Sequence, residues 1–305
     1  MSMFQLIPYE RIRTHFAEIF ETPLSSGSLY NFNVEAYRRL EAFEQLSINK
    51  LRQEQTLNVD ETGVNIDGKR KWLHTASNRN WTHIMVHAKR GKDAMDDIGI
   101  LPDFKGLLVH DHWKPYYRYD NCLHALCNAH HKRELTRAYE QDGQRWAKTM
   151  EDMLCRANKA TKKAGGVLPK RQCDRWRKIY RKILKEAEKE CPPPKENPPG
   201  NKKRGRVSRS KSRNLLERLC KYEEDTLRFM ENPLAPFTNN QGERDLRMVK
   251  VQQKISGCFR SFKGAEIYCR IHSYLSTCRK NNVGVGEALE KLFSGKWPDF
   301  IRQQI

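Results

Sequence analysis

The sequence predicts an α/β protein in which a mixed sheet is flanked by helices. Short segments rich in β-branched and aromatic residues alternate with turn sequences, which predicts an antiparallel meander of three strands. A helical pattern and then a short apolar segment follow, which predicts a fourth strand. Apolar residues recur at helical spacing over much of the remaining chain. The expected strands are residues 56–64, 71–77, 82–88 and 106–110, and the expected helix between the last two is residues 91–99.

The N-terminal segment, residues 1–50, is predicted to be helical. Apolar residues repeat at helical spacing over residues 8–20 and again over residues 28–40, and Thr22-Pro23-Leu24-Ser25 interrupts the pattern. Two helices joined by a tight turn are compatible with a helix-turn-helix module, in which residues 25–39 would contact DNA bases. A plain helical hairpin has the same pattern, so both interpretations stay open.

Composition and charge narrow the class of protein. The 305 residues carry 57 Lys and Arg against 37 Asp and Glu, and the formal net charge of +20 favours a polyanionic partner. No apolar run approaches the roughly 18 to 20 residues of a membrane span, so no membrane partner is expected. Nine cysteines without a Cys-x-x-Cys pair favour reduced thiols over a disulfide framework or a zinc ribbon. We therefore expect a cytoplasmic protein.

Most of the positive charge lies in one block. Residues 156–213 contain 21 Lys and Arg against 5 Asp and Glu, a net charge of +16. We predict a basic, mostly helical region over residues 141–232, including an amphipathic helix around residues 176–187 and a disordered loop near residues 191–213. A solvated charged face would have the same composition as a DNA-binding one. The candidate DNA-binding residues here are Arg175, Lys178, Arg181, Lys182, Lys202, Lys203, Arg204 and Arg206.

Three acidic residues form a candidate metal site. Asp60 lies midway along the first predicted strand, and Asp111 directly follows the fourth. Glu243 lies in the first turn of a helix predicted over residues 241–255, where the helix dipole favours an anion. Carboxylates without a histidine or thiolate suit Mg²⁺, and paired Mg²⁺ ions stabilise the attacking and leaving oxygens of phosphodiester displacement. Plain solvated carboxylates would show the same spacing.

Residues beside these carboxylates carry further predictions. Glu61 and Asp245 are alternative ligands, although Glu61 would point away from the strand face that Asp60 uses. On the last predicted helix, cationic residues recur every three or four positions after Glu243, which favours contact with DNA phosphates over a solvated face. With the neighbouring arginine included, these candidate DNA-binding residues are Arg244, Arg247, Lys250 and Lys254.

Several motifs occur in a fixed order along the chain. They are Asn58-Val-Asp60-Glu-Thr62, His110-Asp111-His112-Trp113, His124-Ala-Leu-Cys127-Asn-Ala-His130, Arg133-Glu-Leu135 and Asn239-Asn-Gln-Gly-Glu243-Arg-Asp-Leu-Arg247, followed by Gly257-Cys-Phe-Arg260 and Gly264-Ala-Glu266. Together they resemble the DDE transposases of bacterial insertion sequences, specifically the insertion-sequence-66 family. The resemblance runs over residues 5–301, nearly the whole chain.

The resemblance implies a ribonuclease-H-like core with Asp60, Asp111 and Glu243 as the catalytic, metal-binding triad. Residues 51–140 and 233–305 would form this core, and the basic helical region would be an insertion between the second and third acids. The implied reaction is Mg²⁺-dependent cleavage at transposon ends and strand transfer into target DNA, with two Mg²⁺ ions that Mn²⁺ can replace. The implied partners are the terminal inverted repeats, target DNA, further copies of the chain in a DNA-bound dimer or higher oligomer, and accessory proteins of the same element. The expected location is the bacterial nucleoid.

Four residues near the triad are candidates for supporting the active site. Cys127 and His130 resemble a Cys-x-x-His motif found between the second and third acids of several DDE superfamilies. Since no second thiolate pair lies nearby, a structural role at a helix start, or a place for His130 near the scissile phosphate, is favoured over zinc. His112 and Trp113 directly follow Asp111; the histidine suits hydrogen-bonded packing, and the tryptophan suits either packing or stacking on an unpaired base.

One departure from the family pattern leaves a second function open. Family members generally carry a coiled-coil segment and a four-cysteine zinc-binding module ahead of this region. The expectation is therefore a shortened or split transposase. The alternative function is a catalytically inactive truncated transposase that binds DNA and inhibits transposition, whereas the complete triad favours an enzyme.

Overall fold

The computed structural model describes residues 1–194 and 209–304, and within them helices surround five strands. The strands are β1 (Thr56–Ile66), β2 (Lys69–Ser77), β3 (Thr82–His87), β4 (Leu107–His110) and β5 (Leu123–Leu126). The helices are α1 (Tyr9–Phe20), α2 (Ser26–Arg39), α3 (Glu41–Gln53), α4 (Lys92–Ile98), α5 (Asn128–Glu140), α6 (Arg145–Lys163), α7 (Lys170–Glu190), α8 (Lys211–Lys221), α9 (Glu223–Leu227), α10 (Asn240–Ser256), α11 (Phe262–Lys280), α12 (Val285–Phe293) and α13 (Asp299–Arg302).

The described strands form one mixed sheet in the order β3-β2-β1-β4-β5. The predicted antiparallel meander is confirmed: Asp60 in β1 lies opposite Thr75 in β2, and Thr75 lies opposite Ile84 in β3. Asp67 and Gly68 connect β1 to β2 with φ angles of 48° and 72°, the positive values that a two-residue hairpin turn of this kind requires. The sheet and its flanking helices are compatible with a ribonuclease-H-like fold.

The chain divides into two compact units. Unit 1 comprises Met1–Leu108, Trp113–Leu123 and Asn240–Ile305, and unit 2 comprises Val109–His112 and His124–Asn239. Unit 1 therefore contains Asp60 and Glu243, whereas unit 2 contains Asp111 and the basic helices. None of the helices in the described ranges is long and apolar enough to cross a membrane.

Unit 1 packs apolar side chains on both faces of β1. On one face, Val64 and Ile66 share a buried cluster with Leu246 and Val249 of α10. The alternate residues, such as Val59, belong to a second cluster on the opposite face. This alternation is what an extended strand with period two imposes. It also places Asp60 on the same face as Val64, the face that α10 covers.

Unit 2 is built from α5 to α9 around a core that contains Trp146 and Tyr180. The Tyr180 hydroxyl donates to the carbonyl of Leu219 at 2.9 Å, so this buried polar atom has a partner. Helix α8 begins within the segment for which the sequence predicts a loop, because Ser210 accepts a hydrogen bond from the Arg213 N–H and caps the helix. Residues 195–208 of that predicted loop, with Lys202, Lys203, Arg204 and Arg206, lie outside the described residues.

Gly106, just before β4, gives the first testable prediction. A Cβ atom there would lie 2.6 Å from the carbonyl oxygen of Gln55 and 2.7 Å from that of Glu54, so the backbone would have to shift. We expect Gly106→Ala to destabilise the fold by about 1–3 kcal/mol, measured by urea unfolding. Gly286→Ala in α12 is the control: no described atom lies within 4 Å of its added Cβ, so alanine should stabilise that helix. Equal stability of the two variants would contradict the close approach.

Candidate active site

Asp60 is held by the middle of β1, on the sheet face that α10 covers. Its side chain is half-buried, and its Oδ1 accepts a hydrogen bond from the N–H of Glu61 at 2.9 Å. Because β1 is the central strand and is paired with β2 along its length, the backbone that carries this carboxylate is held in place. The position suits a ligand that must be held in place before its ion arrives.

Glu61 points to the opposite face, as the strand alternation predicts. Its side chain is 1% exposed, and Arg90 donates to Oε1 at 2.6 and 3.1 Å. The Tyr116 hydroxyl donates to Oε2 at 2.6 Å. The guanidinium of Arg90 lies 4.2 Å from the ring centre of Trp113, whose ring packs edge-on against Tyr116. These contacts favour a structural role for Glu61 over metal ligation, and they give Trp113 packing partners within unit 1.

The Tyr116 hydroxyl provides the second prediction. Hydrogen bonds to a buried charge contribute about 1.5–3 kcal/mol, so Tyr116→Phe should destabilise the protein by about that amount in thermal or urea unfolding. Tyr139→Phe, at an exposed position on α5, is the matched control and should have little effect. If the two variants unfold at the same urea concentration, the Tyr116–Glu61 hydrogen bond does not stabilise unit 1.

Glu243 lies in the first turn of α10 and is half-buried. Two turns later, Lys250 donates to the carbonyl oxygen of Gly63 in β1 at 3.4 Å. Beyond the end of α10, the Phe259 N–H donates to the Asn65 carbonyl at 2.9 Å, so later residues of the helical segment meet later residues of β1. Helix α10 and strand β1 therefore run in the same direction.

Asp245, the other alternative ligand, is occupied by an ion pair. It is buried and accepts from Lys280 at 2.8 Å and from the Gln241 amide at 2.9 Å. Lys280 also donates to the carbonyls of Asn78 and Trp81. Burial lowers the pKa of Lys280, and Asp245 opposes that shift. This arrangement favours Asp245 as an anchor for the first turn of α10 rather than as a metal ligand.

The cationic residues of α10 are exposed, although Lys250 also reaches the Gly63 carbonyl of β1. Arg244, Arg247, Lys250 and Lys254 are exposed, and Arg244 also donates to the Gln241 side chain at 3.2 Å. Seven residues separate Glu243 from Lys250, close to two helical turns, so these two share a helix face. The predicted phosphate contacts of this row stay a prediction.

Asp111 directly follows β4 and is half-buried in unit 2. The next residue, His112, has a φ of 77°, a conformation that non-glycine residues rarely adopt and that concentrates at functional sites. Its N–H donates to Nδ1 of His110, and its ring packs edge-on against Tyr222 with centres 4.5 Å apart. The chain therefore turns sharply at Asp111, and the turn is held by contacts of His112.

His110 is a buried neutral residue. Its Nε2 lies 3.0 Å from Nδ1 of His124, so one ring donates and the other accepts. Burial, followed by the neighbouring His124 and His112, holds the pKa of His110 well below its usual value. These contacts fit the hydrogen-bonded packing expected for histidines at a strand end.

Cys127 occupies the start of α5. Its N–H donates to the His110 carbonyl at 2.9 Å, and its Sγ accepts from the Asn239 N–H at 3.1 Å. A ring nitrogen of His130, one turn later, lies within 4.8 Å of that sulfur. None of the nine cysteines, all of which lie in the described ranges, forms a disulfide. The contacts of Cys127 favour the structural role at a helix start.

The predicted DNA-binding residues of α7 fall into two groups. Arg181 forms an ion pair with Glu223 at 2.9 Å, whereas Arg175, Lys178 and Lys182 are exposed and form no ion pair with another residue in the described ranges. Arg177, which the sequence did not single out, binds three carboxylates. The sequence shows that all of these residues are cationic. Only the packing of α7 against α8 and α9 shows which of their charges are paired with carboxylates and which are not.

The mixed sheet flanked by helices makes this an α/β protein compatible with the ribonuclease-H-like type. The model of the transposase IS66 family matches residues 3–267, and the chain belongs to that family. No curated protein matches the chain. Membership supports a transposase function with DNA as partner, in a family that typically uses a divalent metal.

Proposed function

We propose that the protein is a DDE transposase that cleaves DNA at transposon ends and transfers the freed 3′ ends into target DNA. In this proposal Asp60, Asp111 and Glu243 hold two Mg²⁺ ions. The family match supports the general activity. The single observation that carries the residue assignment is the relation of α10 to β1 within unit 1.

That relation brings Asp60 and Glu243 to similar levels along the sheet. Gly63 receives the hydrogen bond from Lys250. Asp60 precedes Gly63 by three residues, about 10 Å along a strand, and Glu243 precedes Lys250 by seven residues, about 10.5 Å along a helix. Because the two elements run in the same direction, Asp60 and Glu243 both lie about 10 Å before this hydrogen bond and therefore at similar levels along the sheet.

The faces agree as well as the levels. Asp60 lies four residues before Val64 and therefore on the same face of β1. Val64 shares its buried cluster with Leu246, which follows Glu243 by one helical turn. Both carboxylates are half-buried, so a cation from solvent can reach them. This pairing supports Asp60 and Glu243 as ligands of a common site, with Asp111 assigned by its motif.

The donor set fits a hard divalent cation. Three carboxylates supply only oxygen ligands, which suit Mg²⁺ and Mn²⁺. Three side chains also leave coordination positions for phosphate oxygens. When bound, a metal pair stabilises the attacking and leaving oxygens of in-line phosphodiester displacement. The chain itself fixes the first carboxylate on a central strand and keeps Glu61 and Asp245 in other contacts. The exposed cations of α10 are available for DNA phosphates.

The proposal is tested with a supercoiled plasmid that carries both ends of the element encoding this chain. The purified protein is incubated with Mg²⁺, with Mn²⁺ or with EDTA, and products are mapped to the nucleotide. We expect ion-dependent cuts that leave 3′-hydroxyls at the element ends, together with joined products. DNA binding by gel shift without cleavage in either ion would favour the inactive, inhibitory DNA-binding protein instead.

A further inference from the structure

Helices α6 and α7 of unit 2 enclose a groove of about 1040 Å³. Its lining residues on α6 run from Arg145 to Ala160, about 22 Å along the helix axis, and face a matching stripe of α7. Trp176 and Ile179 form part of the lining and are only partly buried. A flat aromatic side chain is thus available in an open groove instead of being enclosed in the core.

Each acidic residue that lines this groove has a cationic or N–H partner of its own or a shared one. Asp152 lies 3.1 Å from the ammonium of Lys148, and Glu186 lies 3.1 Å from that of Lys189. Glu190 accepts hydrogen bonds from the backbone N–H groups of the first two residues of α6, where the helix dipole is positive. These partners reduce the repulsion that the three carboxylates exert on an anion.

Three cationic residues that line the groove, in contrast, are not neutralised by a carboxylate within the described ranges. Arg156, Arg175 and Lys182 line it and are exposed, and none of them forms an ion pair with another residue of ranges 1–194 and 209–304. Arg181 on the same helix α7, which does not line the groove, is paired with Glu223. The groove thus combines an aromatic surface with uncompensated positive charge along its edges.

We propose that this groove binds an unpaired stretch of nucleic acid, with a base stacked on Trp176 and phosphates beside Arg156, Arg175 and Lys182. This inference rests on the proposed function, because it takes DNA as the polyanion that the groove binds. It assigns the basic helices to single-stranded substrate, such as the strand exposed next to a cleaved end. It lies apart in sequence from the residues assigned to the metal.

The chemistry of the lining selects this ligand. Base stacking on aromatic side chains together with a cationic backbone track is the usual way to hold single strands. In a duplex the bases stack on one another, so a duplex could meet the cations but would leave Trp176 without a partner. An acidic amphipathic peptide would match the charge and the apolar surface without needing a planar ring, and it is therefore the competing outcome.

The test measures binding of the full chain to fluorescein-labelled oligo-dT and to a mixed-sequence duplex of equal length, by anisotropy in EDTA. We expect Trp176→Ala to weaken single-strand binding about tenfold and to leave duplex binding unchanged. Trp176→Phe should retain most of the affinity, which separates stacking from loss of fold. Tyr139→Ala, at an exposed aromatic position outside the groove, is the control and should bind like the unchanged protein.

Charge variants complete the test. Arg175→Gln and Lys182→Gln should each reduce the salt dependence of single-strand binding, by about 0.7 in the slope of log K against log salt, while Lys185→Gln on the same helix should not. Equal losses for single strand and duplex in Trp176→Ala, or no loss, would overturn the proposal. So would displacement of the oligonucleotide by polyglutamate at similar concentrations. Asp60→Asn should bind oligo-dT normally, so failure of the catalytic proposal leaves this one separately testable.

Discussion

Asp60→Asn is expected to abolish metal-dependent DNA cleavage while DNA binding persists. An amide is a much poorer ligand than a carboxylate for a hard divalent cation, and the ion supplies several kcal/mol of transition-state stabilisation. At 1.36 kcal/mol per tenfold change, the rate should fall at least about a thousandfold. The substitution should spare the fold, because the Asn Oδ1 can still accept the hydrogen bond from the Glu61 N–H. The rate is measured by nicking of the plasmid that carries the element ends.

Asp67→Asn is the matched control for this experiment. Asp67 lies seven residues later in the β1–β2 turn, is exposed, and has a φ of 48°, which Asn tolerates well. It loses the same charge without touching the assigned site, so its cleavage rate should stay near that of the unchanged protein. Asp111→Asn and Glu243→Gln should behave like Asp60→Asn. A variant of the triad that cleaves at the normal rate would remove that residue from the site.

Lys280→Met is expected to be among the most destabilising single substitutions in unit 1. It removes the cation paired with the buried Asp245 carboxylate, and breaking a buried pair from one side costs about 3–5 kcal/mol. The first turn of α10, which carries Glu243, should loosen with it, so DNA cleavage should fall together with stability. Urea unfolding gives the free energy, and the nicking assay gives the activity.

Two companion variants make the Lys280 prediction specific. Lys291→Met removes a half-exposed cation paired with Glu287 in α12, and it should cost less than about 0.5 kcal/mol. The double variant Lys280→Met with Asp245→Leu removes both buried charges and should be more stable than Lys280→Met alone. If Lys280→Met unfolds like Lys291→Met, the buried pair does not anchor α10. If Asp245→Asn abolishes cleavage without loss of stability, Asp245 is a ligand after all.

Sequence patterns were sufficient for the elements whose signal is local. The β1–β2–β3 meander follows from alternating residues and from turn sequences such as Asp67-Gly68. The sequence pattern does not separate helix α3 from α2, and it does not show strand β5. Leu40 is both the C-cap of α2 and the N-cap of α3, so the helical periodicity continues across the boundary without a gap. The four residues of β5 are too few to show a strand alternation.

The surroundings of the candidate site depended on contacts distant in sequence. Glu61 is a plausible ligand until Arg90, 29 residues away, and Tyr116, 55 residues away, are seen to bind it. The ion pair of Asp245 with Lys280 spans 35 residues. Such pairs arise from packing and have no spacing rule. Order and motif therefore predict the candidate acids, and the fold is needed to tell the engaged carboxylates from the candidate ligands.

The most direct test of the account is diffraction from crystals soaked in Mn²⁺, with anomalous differences recorded at the manganese edge. The central claim is that Asp60, Asp111 and Glu243 together hold the catalytic ions. The account predicts one or two strong peaks within about 2.0–2.3 Å of oxygens from all three carboxylates, and their loss in crystals of Asp60→Asn. Peaks held by other residues, or none at these carboxylates under conditions where the protein cleaves DNA, would contradict it.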